Sequence, residues 1–571
     1  MQSAPSRAAP PPARVPQSRW SQLSAPALEH YRPSAALAVA IAGPDPDGVA
    51  ERTLAALAAQ RYPRERLALV VAEELASERL DAAAERHSLR LERAAPGQLV
   101  RAAAGAGELV LFLSAGALPE PDWAAAHARW HETVCDAVSV GRSQRCDARL
   151  ADPERLAAGE LPSAAADDRE GAAYDAFLEA TRSLTERRAD LFRIATADNL
   201  GVRSQLLSEL SEPRAGGDPE LARLDFAYRL ELAGALFVAE PTARSLRHYP
   251  QARYQDPEAA ADPRADSLIP VGGFRADGGG RLRARPALEV TLAAAADDGA
   301  DDLLATVDAL LAGRLSDLRL SLELPAAHPA REALEPALAA DPRIALAEPG
   351  TGEPAEAPYT VRWPAPAVPD ERTLADLREL IEAEEVGALH VTVPGEVPRN
   401  AMIEVMATGP LARARRLSAH LRDTGEPSPA EHPTVEMPPI PRGDNGAAPA
   451  DPADPLVVLG ELYGERWVSG VEVSVRRRGA PEPQVTEHGP LAPATDLDHE
   501  RTQHLRHQGR ADTLQARADR FAERAVRDRI RAREERLRAE RLDARLAELG
   551  EPPWFWRMRI ARRLGRGIRR S

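Results

Sequence analysis

The stretch ELVLFLSAGALPEPDW, Glu108 to Trp123, decides how this chain reads. It begins with an apolar run of the length and composition of a buried strand. The run stops at Ser114, Ala115 and Gly116, and a proline-studded turn then leads into a helix. Ligands of open α/β sheets bind beyond such a carboxyl end of a strand. The three residues at this tip carry no charge, no nucleophile beside a base and no strong metal ligand.

Working outward, the neighbouring segments repeat the strand-then-helix pattern. ALAVAIAG (Ala36–Gly43) is a short apolar run stopped by Gly-Pro, and GVAERTLAALAAQRYP sets Val49, Leu54 and Leu57 on one helical face. LALVVA (Leu67–Ala72), LRLERA (Leu89–Ala94), DAVSVG (Asp136–Gly141) and ALFVAEP (Ala235–Pro241) read as further strands. Strands alternating with helices imply βαβ units, hence an α/β fold with a mainly parallel sheet flanked by helices.

The pattern restarts after a Pro/Asp/Gly-rich linker at 255–285. ALEVTLA (Ala287–Ala293), LRLSLEL (Leu318–Leu324), RIALAEPG (Arg343–Gly350) and ALHVTVPGEVP (Ala388–Pro398) follow in the order of the first half, which points to a duplication. On this reading the second-half counterpart of the Ser114 tip is VPGEVP, residues 393–398. The expected organisation is a disordered Pro-rich segment at 1–33, a first α/β domain at 34–254, the linker, and a second, diverged α/β domain at 286–421. A Pro-rich linker at 422–455, a small module at 456–500, a long charged helix at 501–550 and a basic aromatic tail at 551–571 complete it. Gly550 with Pro552 and Pro553 stops the long helix.

Composition bounds the function. The chain has 571 residues, enough for two or three domains, and 44% hydrophobic residues with only 4% aromatics, so its cores are built from small aliphatics. The absence of Lys and the scarcity of Asn suggest the codon usage of a GC-rich bacterial genome. A net charge of −15 argues against nucleic acid as the partner of the whole protein. With only Cys135 and Cys146 there is neither a disulfide framework nor a Cys-based zinc site. No signal-peptide core and no run approaching the ~20 residues of a membrane span is present, so a cytoplasmic location is expected. The tail is the exception: Trp554, Phe555 and Trp556, with Arg557, Arg559, Arg562 and Arg563 close behind, suit the headgroup region of an anionic membrane. Peripheral contact with the inner face of the cell membrane is the expectation.

The letters themselves carry a resemblance. Gln60, Tyr62 and Pro63 close the first helix. Pro119, Glu120, Pro121 and Trp123 follow the strand tip, and Tyr228, Arg229, Leu230 and Gly234 precede a late strand. This order resembles the family-2-type glycosyltransferases of GT-A fold over about Ala36 to His248. The resemblance implies a nucleotide-diphosphate sugar as donor and a divalent cation on two acids at the strand tip. In such sites hard carboxylate oxygens hold the cation, which neutralises the leaving diphosphate, and a further acid serves as general base toward the acceptor. It also implies an acceptor among envelope glycans or lipid-linked sugars, and a partner glycosyltransferase.

This chain departs from that pattern at each acidic position. Ser114 and Gly116 stand where the two metal-binding acids belong, so the expected cation has no ligands and none is assigned. Glu73, after the second strand, is the candidate for the acid that meets the nucleotide base. Arg223 occupies the position of the expected base, and Asp225, two residues on, is a weak candidate for its replacement. Arg223 and Arg142 are the candidates to neutralise a diphosphate without a metal, and His248 is the candidate for the family's late histidine. His127 and His131 have a spacing that can hold zinc but no evident third ligand, which favours a packing role. The glycines of VGGFRADGGGR sit in the linker, outside any strand–helix context. The functional expectation is a family-2-like protein of bacterial envelope-polysaccharide synthesis with a decayed site, acting as a scaffold, glycan-binding or regulatory subunit. An active metal-independent transferase and a membrane-surface adaptor are the alternatives.

Overall fold

A computed structural model describes the chain from residue 10 to residue 477, except 17–18, 44, 46, 166–167, 186–189, 197–198, 211–217, 249–264, 266–267, 272–282, 351–354, 366, 394–401, 425–452, 470–472 and 474. The expected charged helix and the aromatic tail with Trp554 lie outside the described residues, as does most of both linkers. No described helix is long and apolar enough to cross a membrane.

The apolar runs become the middle of a first, eight-stranded sheet. β1 (Leu37–Ala42), β2 (Leu67–Ala72), β3 (Arg90–Ala94) and β4 (Leu109–Ser114) pair in parallel as β3-β2-β1-β4. The short β5 (Ala117–Pro119) follows the tip of β4. β6 (Ala137–Cys146), β7 (Asn199–Arg203) and β8 (Leu236–His248) extend the order to β4-β7-β6-β8-β5, with β7 antiparallel to both its neighbours. The sheet is therefore mixed, with four parallel pairings and three antiparallel ones.

Helices cover both of its faces. α1 (Ala50–Ala58), α2 (Glu78–Arg86) and α4 (Trp123–His131) cover the side chains of Leu37, Val39, Ile41, Leu69, Val71 and Leu111. α3 (Leu99–Ala106), α6 (Arg169–Ala180), α7 (Ser204–Ser208) and α8 (Pro219–Leu232) cover Ala38, Ala40, Val70 and Val110. Burial on both sides is why these strands are continuously apolar. α5 (Pro153–Ala157) lies between β6 and α6 in the chain.

A second sheet of seven strands repeats the first. Its strands are β9 (Leu288–Ala293), β10 (Leu318–Glu323), β11 (Ile344–Ala347), β12 (Tyr359–Pro364), β14 (Ala388–Thr392), β15 (Met402–Ala407) and β16 (Glu465–Ser469). The order β11-β10-β9-β12-β15-β14-β16 is that of β3-β2-β1-β4-β7-β6-β8, with each pair parallel or antiparallel as in its counterpart. Registers agree as well: Ala38 pairs with Val110 where Glu289 pairs with Thr360, and Val138 with Val202 where Ala388 pairs with Met406. Even the short β5 recurs, as β13 (Ala367–Val368) antiparallel to β17 (Arg476–Arg477). α9 (Ala300–Leu311), α10 (Arg331–Leu338) and α11 (Thr373–Glu384) stand where α1, α2 and α4 stand in the first copy. α12 (Thr408–Thr424) and α13 (Pro455–Tyr463) join β15 to β16.

Three expectations are corrected. The second-copy counterpart of the Ser114 tip is not VPGEVP but the end of β12, at Pro364, Ala365 and Ala367. Ala388–Thr392 is the counterpart of β6, since both pair with the antiparallel strand and the last strand. The segment beginning at 456 is not a separate module, because β16 completes the second sheet beside β14. Residues 10–33 are in part docked rather than disordered. Ala13 and Val15 are buried, the Ala13 N–H donates to Asp136 Oδ1 at 2.9 Å, and Trp20 meets Trp130 edge-on with ring centroids 5.4 Å apart. The proline-rich composition hid a few apolar side chains with a groove to fill.

Candidate functional site

The candidate cleft lies beyond the carboxyl ends of β1 and β4, which register sets side by side as Ala42 against Ser114. The Ala115 N–H donates to the Ala42 carbonyl at 2.8 Å, and the Gly116 N–H donates to Thr53 Oγ1 on α1 at 2.9 Å. Gly116 turns with φ +80°, a conformation that strains any side chain, so an acid at this position would meet a backbone cost as well. The Ser114 hydroxyl is buried and has no hydrogen-bond partner among the described residues.

Two arginines stand at the loop between β1 and α1. A methyl group placed on Gly43 would lie 3.9 Å from Nη2 of Arg223, and one on Gly48 would lie 3.7 Å from Nη1 of Arg79. Arg223 thus reaches the strand tips from α8. Arg79, exposed in the first turn of α2, was not singled out by the sequence reading; a cation next to the second strand's tip was its only signal.

His248, Asp225 and Arg142 are each bound to other groups of the protein. Arg247 pairs with Ala117, so β8 brings His248 next to the tip. There the Ala148 N–H donates to His248 Nδ1 at 3.1 Å, which assigns the proton to Nε2, and Nε2 donates to Asp47 Oδ2 at 2.9 Å. Both ring nitrogens are used. Asp45, in the same loop, accepts from the Val49 and Ala50 N–H groups at 2.7 and 3.0 Å and so caps α1. Asp225 is fully buried, with one carboxylate oxygen bound by Arg285 and the other by Arg229 Nε at 3.1 Å. Arg142 makes a two-pronged pair with Asp175, at 3.0 and 2.7 Å, which raises its own pKa and lowers that of Asp175. Glu73 is exposed in the 3-10 turn after β2.

His127 and His131 belong to a buried network instead of a metal site. Ser139 Oγ lies 2.7 Å from His127 Nδ1 and 2.8 Å from His131 Nε2, and His127 Nε2 lies 2.9 Å from Asn199 Oδ1. Trp123 Nε1 donates to the same Asn199 oxygen at 2.6 Å, so the tryptophan of the Pro-Glu-Pro-x-Trp motif is tied to β7. Burial lowers the His127 pKa to about 4 and holds that of His131 well below the usual range. Among the described residues no group of three or more His, Cys, Asp or Glu is placed to hold a metal ion.

No family model and no curated protein matches this sequence. Among solved structures, the mannosyltransferase PcManGT from Pyrobaculum calidifontis, in complex with GDP-Man and Mn²⁺, is similar at 16% identity over 43% of this chain and 62% of its own, with a TM-score of 0.27. GalNAc-T7, with UDP, GalNAc and Mn²⁺, is similar at 13% identity over 41% of this chain and 48% of its own, with a TM-score of 0.27. S. aureus TarS gives 15% identity over 37% of this chain and 36% of its own, with a TM-score of 0.25. The chain thus spans less than two thirds of the length of each. The order of elements along the first copy, from β1 and α1 through β4 and α4 to α8 and β8, is the one in which the resembling motifs follow one another. The fold is GT-A-like. Within this GT-A-like sheet the scaffold residues keep structural duties: Gln60 binds the Glu120 carbonyl at 2.8 Å, and the Tyr62 hydroxyl binds the Ala35 carbonyl at 2.8 Å.

Proposed function

We propose that this chain is a family-2-like glycosyltransferase homologue of bacterial envelope-polysaccharide synthesis whose metal and base positions have decayed. Its GT-A-like cleft then serves a scaffold, glycan-binding or regulatory subunit that works beside a partner glycosyltransferase. One observation carries this reading: three of the candidate polar groups are bound to the protein itself. His248 is held by Asp47 and the Ala148 N–H, Asp225 by Arg229 and Arg285, and Arg142 by Asp175. A buried carboxylate with both oxygens already held by guanidiniums has none turned toward an acceptor hydroxyl.

A second reading, metal-independent binding of a nucleotide-diphosphate sugar, is favoured by the Arg223 guanidinium near Gly43, the residue that follows β1. Glu73 would then face the base, and Ser114 and Gly116 the phosphates. The tail from Trp554 to Arg570 carries seven arginines, each worth ~1 kcal/mol at an anionic surface, and is proposed to hold the protein peripherally at the inner membrane face. Calorimetric titration with UDP-, GDP- and dTDP-sugars, with and without Mn²⁺, tests these readings. No turnover is expected. Metal-dependent binding with sugar transfer overturns the decayed site, and tight binding indifferent to Mn²⁺ selects the second reading. Sedimentation on phosphatidylserine vesicles that survives deletion of Trp554–Ser571 overturns the membrane role of the tail.

A further inference from the structure

Helix α8 spans the distance between the cleft and the second sheet. Its Arg223 reaches Gly43. Asp225, two residues on, is rotated by about 200° around the helix and so faces away from Arg223. That side meets Arg285, a fully buried residue on the segment entering β9. Arg285 Nη1 binds Asp225 and the Leu268 carbonyl, and its guanidinium lies 5.6 Å from the Tyr228 ring centroid.

The other end of α8 is held by α12. A Schellman turn at Gly234 (φ +74°) uses the Leu230 and Glu231 carbonyls, through the Ala235 and Gly234 N–H groups at 3.0 and 2.9 Å. The following carbonyls go to second-sheet arginines: Ala233 to Arg416 Nη2 at 2.6 Å, Gly234 to Arg413 Nε at 3.2 Å and Ala235 to Arg413 Nη2 at 2.9 Å. A methyl group on Gly234 would come within 2.6 Å of the Gly409 carbonyl, so the two backbones touch. Arg413 also lies 3.3 Å from buried Asp136, and Arg416 pairs with Glu209 at 2.7 Å.

We propose that the second copy acts as a positioning device for the first copy's cleft: Arg285, Arg413 and Arg416 fix the rotation and axial position of α8, and thereby hold Arg223 against Gly43. A helix of 14 residues is marginal by itself, so its placement follows from what grips it. Beside its apolar packing on the first sheet, α8 receives its polar grips at the middle and the end from the segment entering β9 and from α12. The three arginines are positioning residues: they bind Asp225 on α8 and the carbonyls of Ala233, Gly234 and Ala235 that follow it. The ligand part of this proposal rests on the nucleotide-binding reading above, and the positional part does not.

The test compares the full chain with R413A/R416A and R285M. Amide hydrogen exchange across Leu221–Leu232 is expected to rise about ten-fold or more, while β1 and β2 keep their protection. Phenylglyoxal modification of Arg223, followed by mass spectrometry, is expected to quicken in the same variants. Nucleotide-sugar affinity is expected to fall by the same factor as in R223A, and R223A added to R413A/R416A causes no further loss. A merely stabilising contact would lower the melting temperature but leave the two losses multiplicative. Unchanged exchange in α8, an unchanged Arg223 modification rate, or multiplicative losses overturn the proposal. If the unmodified chain binds no nucleotide, the functional reading fails on its own, and exchange and modification decide the positional claim. Should the double variant not fold, R416A alone, which spares the Arg413–Asp136 pair, carries the same test with a rise of about three-fold.

Discussion

The two sheets share strand order and register but differ on one face. In the first copy that face carries Ala38, Ala40, Val70, Val110 and Phe112 beneath α3, α6 and α8. In the second copy the same register positions carry Glu289, Thr291, Ser321, Thr360 and Arg362. The opposite face stays apolar in both, with Leu37, Val39 and Ile41 matched by Leu288, Val290 and Leu292. Residues 348–358 separate β11 from β12 where 95–108 separate β3 from β4, and only 393–401 separate β14 from β15 where 147–198 separate β6 from β7. Removing the covering helices removes the apolar demand on one face, and the sequence alternates accordingly. One topology thus supports two burial regimes.

The largest effect expected from this contrast lies in the first copy's buried network. Asn199→Ala leaves Trp123 Nε1 and His127 Nε2 without an acceptor and should cost about 4 kcal/mol. Urea unfolding measures it, and a loss confined to the second copy's transition would break the comparison. Next comes pH. Burial keeps His127 neutral when folded, with its pKa lowered to about 4, whereas the unfolded chain takes up the proton near 6.5. Its contribution is therefore complete above pH 6.5 and declines as pH falls toward 4, by about 3 kcal/mol. His127→Gln should flatten that part of the stability curve for the first copy and leave the second unaffected.

A paired substitution sharpens the contrast further. Val70→Ser in the doubly buried β2 should cost about 2 to 3 kcal/mol. The reciprocal Ser321→Val, at the same place in β10, should move stability by less than about 0.5 kcal/mol. Equal effects would mean the open face is covered after all. The smallest expected change is Arg362→Ala on the exposed side of β12, within about 0.5 kcal/mol.

How far the sequence could be read follows the same contrast. Strands buried on both sides, such as LAVAIA and LALVVA, were legible because their apolar runs are uninterrupted. β12, YTVRWP, was not, because one face needs no apolar residue and its last residue is proline. Missing it shifted the second tip onto VPGEVP. β7 escaped as well: its Asn199 and Gly201 are unlike strand residues, yet Asn199 anchors the buried network, and a methyl group on Gly201 would meet Ser139 Oγ at 2.5 Å. In the site, the identities at the tip were legible while their partners were not. Nothing in the letters ties His248 to Asp47 or Asp225 to Arg285, which lie 201 and 60 residues apart in the chain.

By itself, the sequence determined the α/β class, the recurrence of one strand–helix pattern and the absence of any acid at the Ser114 tip, since local periodicity and residue identity carry these. Only the tertiary structure decided which strand is the second tip and that β16 closes the second sheet. It also decided that α8 is gripped by arginines of the second copy. Those outcomes depend on pairings between residues far apart in the chain, where burial and charge are settled by neighbours that the local sequence does not name.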